Sequence, residues 1–488
     1  MEPREIVRIS LVGSLVILVV WHLSSHSTFT LGTDPAPTAF EALTMLRSSR
    51  PVRIRLQGSA PVRAQAYSRW RCVGDLETIG AAPHRTCVFE RVCYHPNQSD
   101  FTFHARPNSD NVSLPTIYDH RKGSQYGFRW RKRQGARTND DFIPLSKEVP
   151  YKHQMTWSAS TVAAPVPANA AWLTGLSALS APFAPTNLGH VAWDEGFPLL
   201  VGMAQLGVYT PALRILRTTP CSHLGKRATS SSVCRKFAAA FLAPLMGQAS
   251  DEPHTLDAVA RGAPVSGATG RRDGTRPVCF EKLLVGGTFD SFNLEALNSG
   301  KEPLIALYRA QVLAAHGIAP DVPPTRHTIL LVAKKGRRII ANFKRVQAAV
   351  RSAFSSMATI VSTDFSGMTM REQLRLVSST TVAVSPCGGI SMILPFMPEG
   401  SHAVLVNYML GEGEEARHGE CDHADGPCSW TMEAELWRHV RHVTKVYYQV
   451  WGPDDFAKGR PGRDESVRID PARLIPLIRA SLHEMEPF

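Results

Sequence analysis

The 488 residues contain no Asp-x-Asp pair, the close carboxylate spacing that suits a catalytic divalent ion. No internal repeat is present, which sets aside solenoids and propellers. No apolar run reaches the roughly 20 residues that a spanning helix usually needs, and no Ala-x-Ala cleavage site follows the longest one, Ile9 to Leu23. Acidic residues are in deficit, 42 against 54 Lys and Arg, so the chain carries +12. That balance suits an anionic partner, yet the positive charge forms no continuous stripe of the kind a nucleic-acid surface needs. Its densest run is Arg129, Arg131, Lys132, Arg133 and Arg137, with Phe128 and Trp130 interleaved. The run reads as a solvated basic loop or as a contact for nucleic acid or acidic lipid; we take the loop reading and expect no nucleic-acid partner.

What is present at the N-terminus bears on the compartment. Arg4 and Arg8 precede the apolar run and Ser24 to Thr28 follow it. This reads as a signal-anchor, with residues 6–23 in the membrane, or as a cleaved signal peptide, and either places the body in the secretory pathway. We expect a single-pass type II protein of the Golgi or endoplasmic reticulum membrane, with its main part lumenal. Residues 1–30 are then tail and anchor. Residues 31–65, with Pro35, Pro37, Pro51 and Pro61, form a stem. With 43% hydrophobic content the remainder is long enough for two domains, 66–300 and 301–488. Residues 244–277 are polar, rich in Gly, Ala and Pro, lack apolar periodicity, and read as a mobile insertion.

Asn97-Gln-Ser99 and Asn111-Val-Ser113 are acceptors for N-glycans, which agrees with a lumenal body. The nine cysteines fall at Cys72, Cys87 and Cys93, then Cys221 and Cys234, Cys279, Cys387, and finally Cys421 and Cys428. An odd number leaves one over. Cys387 sits in a glycine turn where bridging is awkward, so it is expected to stay outside any disulfide, with Cys221 paired to Cys234 and Cys421 to Cys428. His418, Cys421, His423 and Cys428 also have the ligand types for zinc, although a disulfide-closed loop is the preferred reading in an oxidising lumen.

The stretch from Asp364 to Gly400 is the most informative. Thr369 followed by Glu372 is a capping box, starting a helix that buries Leu374 and Val377. Thr381 to Val384 is β-branched and apolar, as a buried strand requires. Pro386, Cys387, Gly388 and Gly389 then precede a second apolar segment, Ile390 to Met397. Such a strand, glycine turn and helix can present backbone N–H groups to a phosphate or a hydroxyl, though a lone Gly-Gly is also a common tight connection. Upstream, Thr328 to Ala333 is an apolar strand, and Lys334, Lys335, Gly336, Arg337 and Arg338 form a basic loop. Asn342 can cap a helix with Phe343, Val346, Val350 and Phe354 on one face, and Thr359 to Thr363 is a further strand. This alternation predicts a parallel sheet covered on both sides, with its ligand beyond the C-terminal strand ends. The basic loop and glycine turn can line one crevice there, or the loop can be solvated surface.

A second constellation lies between Asn187 and Gly207. Helical from Leu188, it places His190 and Asp194 four apart on one face and turns Trp193, Phe197 and Ala204 toward the core, with Gly196 and Pro198 as possible breaks. An imidazole and a carboxylate one turn apart can serve as base and orienting group; equally, Asp194 can stabilise a helix start while His190 merely packs.

Four blocks together resemble glycosyltransferase family 61. They are Cys87-Val-Phe-Glu-Arg-Val-Cys93-Tyr94, Asn187-x-x-His190-x-x-x-Asp194, Cys279-Phe280-Glu281 to Gly286, and Phe365 to Gly400. The family usually has His-Gly-Ala-Gly-Leu where this chain has Pro386-Cys387-Gly388-Gly389-Ile390, and an arginine is common where Lys334 stands. The resemblance implies a GT-B fold, two Rossmann-like domains facing across a cleft, and inversion at the anomeric carbon. It implies a UDP-sugar donor such as UDP-GlcNAc, UDP-xylose or UDP-arabinose, no metal or other cofactor, and a glycan or glycoprotein acceptor. Asp194 is then the candidate base, with His190 as orienting group or as the base itself. Lys334, Arg338, Asp364, Ser385, Gly388, Gly389 and Ser391 are the candidate donor-binding residues. Loss of the family histidine leaves open an inactive lumenal protein that binds a glycan or a partner with the same fold.

Overall fold

A computed structural model describes residues 67–73, 86–107 except 99, 160–285 and 302–406 with short breaks, and 436–485 with short breaks, together with four short strands between 118 and 157. The anchor, the stem, Asn111, Arg129, Arg133, Arg137, His418, Cys421, His423 and Cys428 lie outside the described residues. Among the described residues no helix is long and apolar enough to cross a membrane.

The N-terminal strands are β1 (Arg69–Val73), β2 (Thr86–Glu90), β3 (Cys93–His95) and β4 (Asp100–His104). Next come β5 (Tyr118–Asp119), β6 (Trp130–Lys132), β7 (Phe142–Pro144) and β8 (Thr156–Trp157), which make two small ladders, β5 with β8 and β6 with β7. Then follow β9 (Ser160–Val162), β10 (Ala171–Ser180), β11 (Arg214–Arg217), β12 (Ala268–Thr269) and β13 (Val278–Val285). Apart from the two ladders these strands form one nine-stranded mixed sheet. At its centre β10 runs parallel to β11 and β13, while β2 and β3 pair antiparallel with the other edge of β13. β13 is central because it is apolar on both faces: Leu283 and Val285 enter one core and Leu284 another, as a period of two demands.

Three helices accompany this sheet: α1 (Phe197–Gln205), α2 (Ala228–Phe241) and the short α3 (Leu256–Ala260). The last lies within 244–277, where the sequence shows no apolar periodicity. Thr255 caps α3 by accepting from Ala258 N, Leu256, Val259 and Ala260 are buried in the sheet's core, and β12 pairs with β10. Three apolar residues on one short turn are too few to register as periodicity, so the sequence pattern hid it. Cys93 and Cys279 stand opposite each other in the β3–β13 ladder and form a disulfide, a pairing that their separation of 186 residues concealed.

The helix α4 (Glu302–Ala315) leads into the second sheet. Its strands β14 (Thr328–Val332), β15 (Thr359–Thr363), β16 (Val382–Pro386), β17 (Ser401–Val406) and β18 (Val443–Tyr448) are all parallel, in the order β15-β14-β16-β17-β18. The expected strand and helix alternation is therefore present. Helices α5 (Phe343–Phe354) and α7 (Pro471–Glu484) cover the face that carries Ile329 and Leu331, while α6 (Met370–Ser378) and a 3-10 helix, Gly389–Phe396, cover the face of Leu330 and Val332. The Thr369–Glu372 capping box is formed as expected. Asn342 occupies the N-cap position of α5, but its amide does not cap: it donates to Ile469 O at 2.7 Å and accepts from Ile469 N at 3.0 Å, tying α5 to the strap before α7.

One apolar core runs from the second sheet through the 3-10 helix to the first. At its middle the Trp193 ring lies 5.4 Å from Tyr308, 5.5 Å from Phe396 and 5.9 Å from Phe197, and Trp193 Nε1 donates to Met392 O at 2.8 Å. Trp193→Ala should remove about 3–5 kcal/mol of stability, read as a lowered thermal midpoint of the purified protein. An unchanged midpoint would mean that this aromatic cluster does not join the two sheets.

Candidate functional site

The strand order has a switch point between β14 and β16. The chain leaves β14 for β15 on one side and leaves β16 for β17 on the other, opening a crevice at the carboxyl ends of the two strands. The basic loop follows β14 and the glycine turn follows β16, so both arrive there. Lys334 Nζ donates to Cys387 O at 2.8 Å, and Arg338 Nη1 lies 3.5 Å from Cys387 Sγ. Arg338 has φ +56, a left-handed conformation that a non-glycine residue adopts at a cost of about 1–3 kcal/mol. Gly388 has φ +136, which only glycine takes readily, and a Cβ there would lie 2.5 Å from Lys334 Nζ.

Hydroxyls shape the same turn. Ser391 Oγ donates to Gly388 O at 2.6 Å, Ser391 N donates to the same oxygen at 2.9 Å, and the buried Ser385 donates to Pro386 O at 3.2 Å. Asp364 follows β15, one strand away. Its carboxylate meets Lys335 Nζ at 2.5 Å and accepts from Ser366 N at 2.9 Å, and the lysine first, then the Ser366 hydroxyl and amide, hold its carboxyl well below the usual range. The structure thus gathers Lys334, Arg338, Gly388, Gly389 and Ser391 around one turn. Asp364 is paired with the neighbouring lysine, and Ser385 is buried.

His190 and Asp194 lie in a π-helical turn, His190–Gly196, that runs directly into α1. Gly196 and Pro198 do not break the helix. A proline ring clashes with the carbonyl four residues before it in a regular α-helix, and the widened turn immediately ahead of Pro198 accommodates it. Gly196 is required for packing, since a Cβ would fall 2.3 Å from Tyr308 Oη. His190 Nδ1 and Asp194 Oδ2 are hydrogen-bonded. The Asp194 side chain is 1% exposed and that of His190 16%, so the imidazole is the group that a solvent-borne ligand can meet.

Asn187 brings the two constellations together. Its Oδ1 accepts from Gly189 N at 3.0 Å, and a Cβ built on Gly389 would lie 2.3 Å from Oδ1 and 2.8 Å from Nδ2. The amide therefore rests on the glycine turn, one helical turn from His190. Asn187 was visible only as the first residue of a spaced block. Glu195 and Arg217, which form a buried pair beneath Asp194, gave no sequence signal beyond an arginine closing an apolar strand. The Cys221–Cys234 disulfide is formed as expected, while Cys387 is buried and not disulfide-bonded. Asn97 is exposed in the turn between β3 and β4. No cluster of metal-ligand type occurs among the described residues.

A doubly wound parallel sheet with cations and a glycine turn at its switch point defines an α/β protein suited to a phosphorylated ligand. Residues 209–404 match the family model described as Glycosyltransferase 61, and this matched domain marks the chain as a glycosyltransferase. The matched span begins after α1 and ends within β17, so it contains Lys334, Arg338 and the glycine turn and leaves out His190 and Asp194. No curated protein matches the chain.

Two measurements test the site's construction. Gly389→Ala and Asn187→Ala should each lower the thermal midpoint, but together cost less than their sum, with a coupling of about 0.5–3 kcal/mol in a double-mutant cycle. Strict additivity would deny the contact. His442 Nε2 lies 2.9 Å from Pro395 O and so anchors the far end of the 3-10 helix. Burial, and then Arg309, pull its pKa down to about 4. A depressed histidine favours the neutral folded form, so its contribution is present above the unfolded value of about 6.5 and is lost as pH falls toward 4, by up to about 3 kcal/mol. His442→Gln should flatten the stability profile in that window; an unaltered slope would assign the acid sensitivity elsewhere.

Proposed function

We propose that this protein is an inverting glycosyltransferase of GT-B architecture, which moves a GlcNAc- or pentose-type sugar from a UDP-sugar to a protein- or polysaccharide-linked hydroxyl in the secretory pathway. The family match supports glycosyl transfer in general, and with it a nucleotide-sugar donor and a glycan acceptor. The observation that carries the finer reading is the Asn187 contact on Gly389, which sets an imidazole–carboxylate pair beside the cationic glycine turn.

In this reading residues 301–488 bind the donor and 66–300 the acceptor. Lys334, Arg338 and the Gly388 and Gly389 amides face the diphosphate. An ammonium has three donors, so Lys334 can serve both Cys387 O and a phosphate oxygen. The acceptor hydroxyl gives its proton to His190 Nε2 while its oxygen attacks the anomeric carbon. The bond to the nucleoside diphosphate breaks on the opposite face, inverting the configuration, and the departing charge is held by the cations and amides. Asp194, buried against Nδ1, holds the tautomer and supports the imidazolium. It acts as the orienting group and His190 as the base, the second of the two sequence readings. The N-terminal run anchors the enzyme as a type II protein of the Golgi or endoplasmic reticulum.

One observation favours a second reading. Pro386, where the family usually has histidine, is the buried last residue of β16, paired with Val406, and projects no titratable group toward the crevice. A lumenal binding protein with an intact nucleotide pocket would be built this way. Two measurements separate them. UDP or a UDP-sugar at 100 times its dissociation constant should stabilise the protein by about 2.7 kcal/mol in thermal shift. His190→Ala and Asp194→Asn should each reduce donor-dependent transfer at least ~100-fold. A thermal shift without any transfer by the parent protein would establish the binding role, and no shift with any nucleotide would overturn the donor site.

A further inference from the structure

Directly after Asp194, the Glu195 carboxylate turns inward and meets Arg217 at the end of β11. Arg217 Nε donates to Oε1 at 2.8 Å and Nη2 to Oε2 at 2.7 Å, a two-pronged fork in which the arginine side chain is fully buried and the glutamate 4% exposed. Ser180 Oγ, from the end of β10, donates to Oε1 at 2.7 Å. The third arginine nitrogen, Nη1, lies 3.2 Å from Cys221 Sγ and 3.3 Å from Cys234 Sγ, so the disulfide closes the arginine's remaining side.

Desolvating two charges so completely is a poor route to stability, because apolar residues of the same size often serve as well or better. What a fork does supply is orientation: two parallel hydrogen bonds fix a carboxylate in its plane, which a single contact does not. Glu195 belongs to the same π-helical turn as His190 and Asp194, and this turn lacks a side-chain cap at its start. We infer that Glu195 and Arg217 are positioning residues, which set the rotation of the turn and thereby aim the His190–Asp194 pair at the crevice. This rests on the reading of His190 as the base.

The pair also sets the local field. The groups facing Glu195 are Arg217 from β11, Ser180 from β10, the Cys221–Cys234 disulfide and Tyr308 from α4, with His190 and Asp194 on its own turn. Tyr308 donates to Phe241 O, and burial and then Glu195 raise its pKa well above the ordinary value, so it stays neutral. Glu195 and Arg217 thus cancel one another, and removing either leaves one uncompensated charge beneath Asp194.

The test uses the full chain with its disulfides intact and two readouts: the His190 imidazole titration, followed by NMR with labelled histidine, and transfer from UDP-GlcNAc or UDP-xylose. Glu195→Gln leaves the arginine cation and should lower the His190 pKa by on the order of half to one unit. Arg217→Gln leaves the carboxylate and should raise it by a similar amount. A merely structural pair would move both variants alike. Replacing both with methionine restores neutrality and packing, so the titration should return to that of the parent while kcat falls ~100-fold with little change in donor KM. Shifts of the same sign in the two single variants, or full activity in the double one, would overturn the inference. The titration does not require turnover, and His190→Ala tests the base separately, so failure of the positioning role is distinct from failure of the transferase reading.

Discussion

Everything at this site depends on a close approach between two pieces of backbone, the π-helical turn His190–Gly196 and the 3-10 helix Gly389–Phe396. Helices with ordinary side chains at the contact pack 8–10 Å apart. Here Gly189 meets Met392, Gly389 meets Asn187, and the Trp193 indole donates across the gap to Met392 O. The missing side chains allow the approach, and the indole hydrogen bond holds it. Without it, the π-helical turn that carries His190 and the loop that carries Lys334 would not meet.

Charge is distributed around this contact in two ways. On the ligand side Lys334 and Arg338 bend over the Cys387–Gly388 backbone, where an anion can meet ammonium, guanidinium and amide donors at once. On the interior side Glu195 and Arg217 neutralise each other under the imidazole–carboxylate pair. The crevice therefore carries two cationic side chains, while the imidazole–carboxylate pair rests on an interior whose buried charges are paired. Arg338 adds a left-handed φ at the same turn, one of the strained backbone positions among the described residues.

Much of the second sheet was legible in sequence. Ile329 to Val332 alternate between two covered faces, Val346, Val350 and Phe354 keep the helical period, and Thr369 with Glu372 announces its capping box; these are local patterns, and local rules read them. The first sheet was less legible because its order is set by pairings between distant segments, β13 with β2 and β3, for which a linear pattern carries no address. The same limit hid the Cys93–Cys279 bridge, whereas Cys221 and Cys234, 13 residues apart, could be paired in advance. Asn342 shows the limit at a single residue. Its type and place matched an N-cap, but two backbone hydrogen bonds to Ile469, 127 residues away, outcompeted the local one.

By itself the sequence determined the chemistry available: the lysine and arginine after β14, the glycine turn after β16, and the spacing of His190 and Asp194. These are properties of residue type and short-range order, which the chain carries before it folds. The tertiary structure decided which of these groups are exposed and which lie close together. Burial of Asp194 with partial exposure of His190 makes the imidazole the reachable partner, and the close contact of Asn187 with Gly389 places it at the crevice. Neither could be read in advance, because exposure and proximity depend on how the two sheets pack, and that packing is a sum over contacts far apart in the chain.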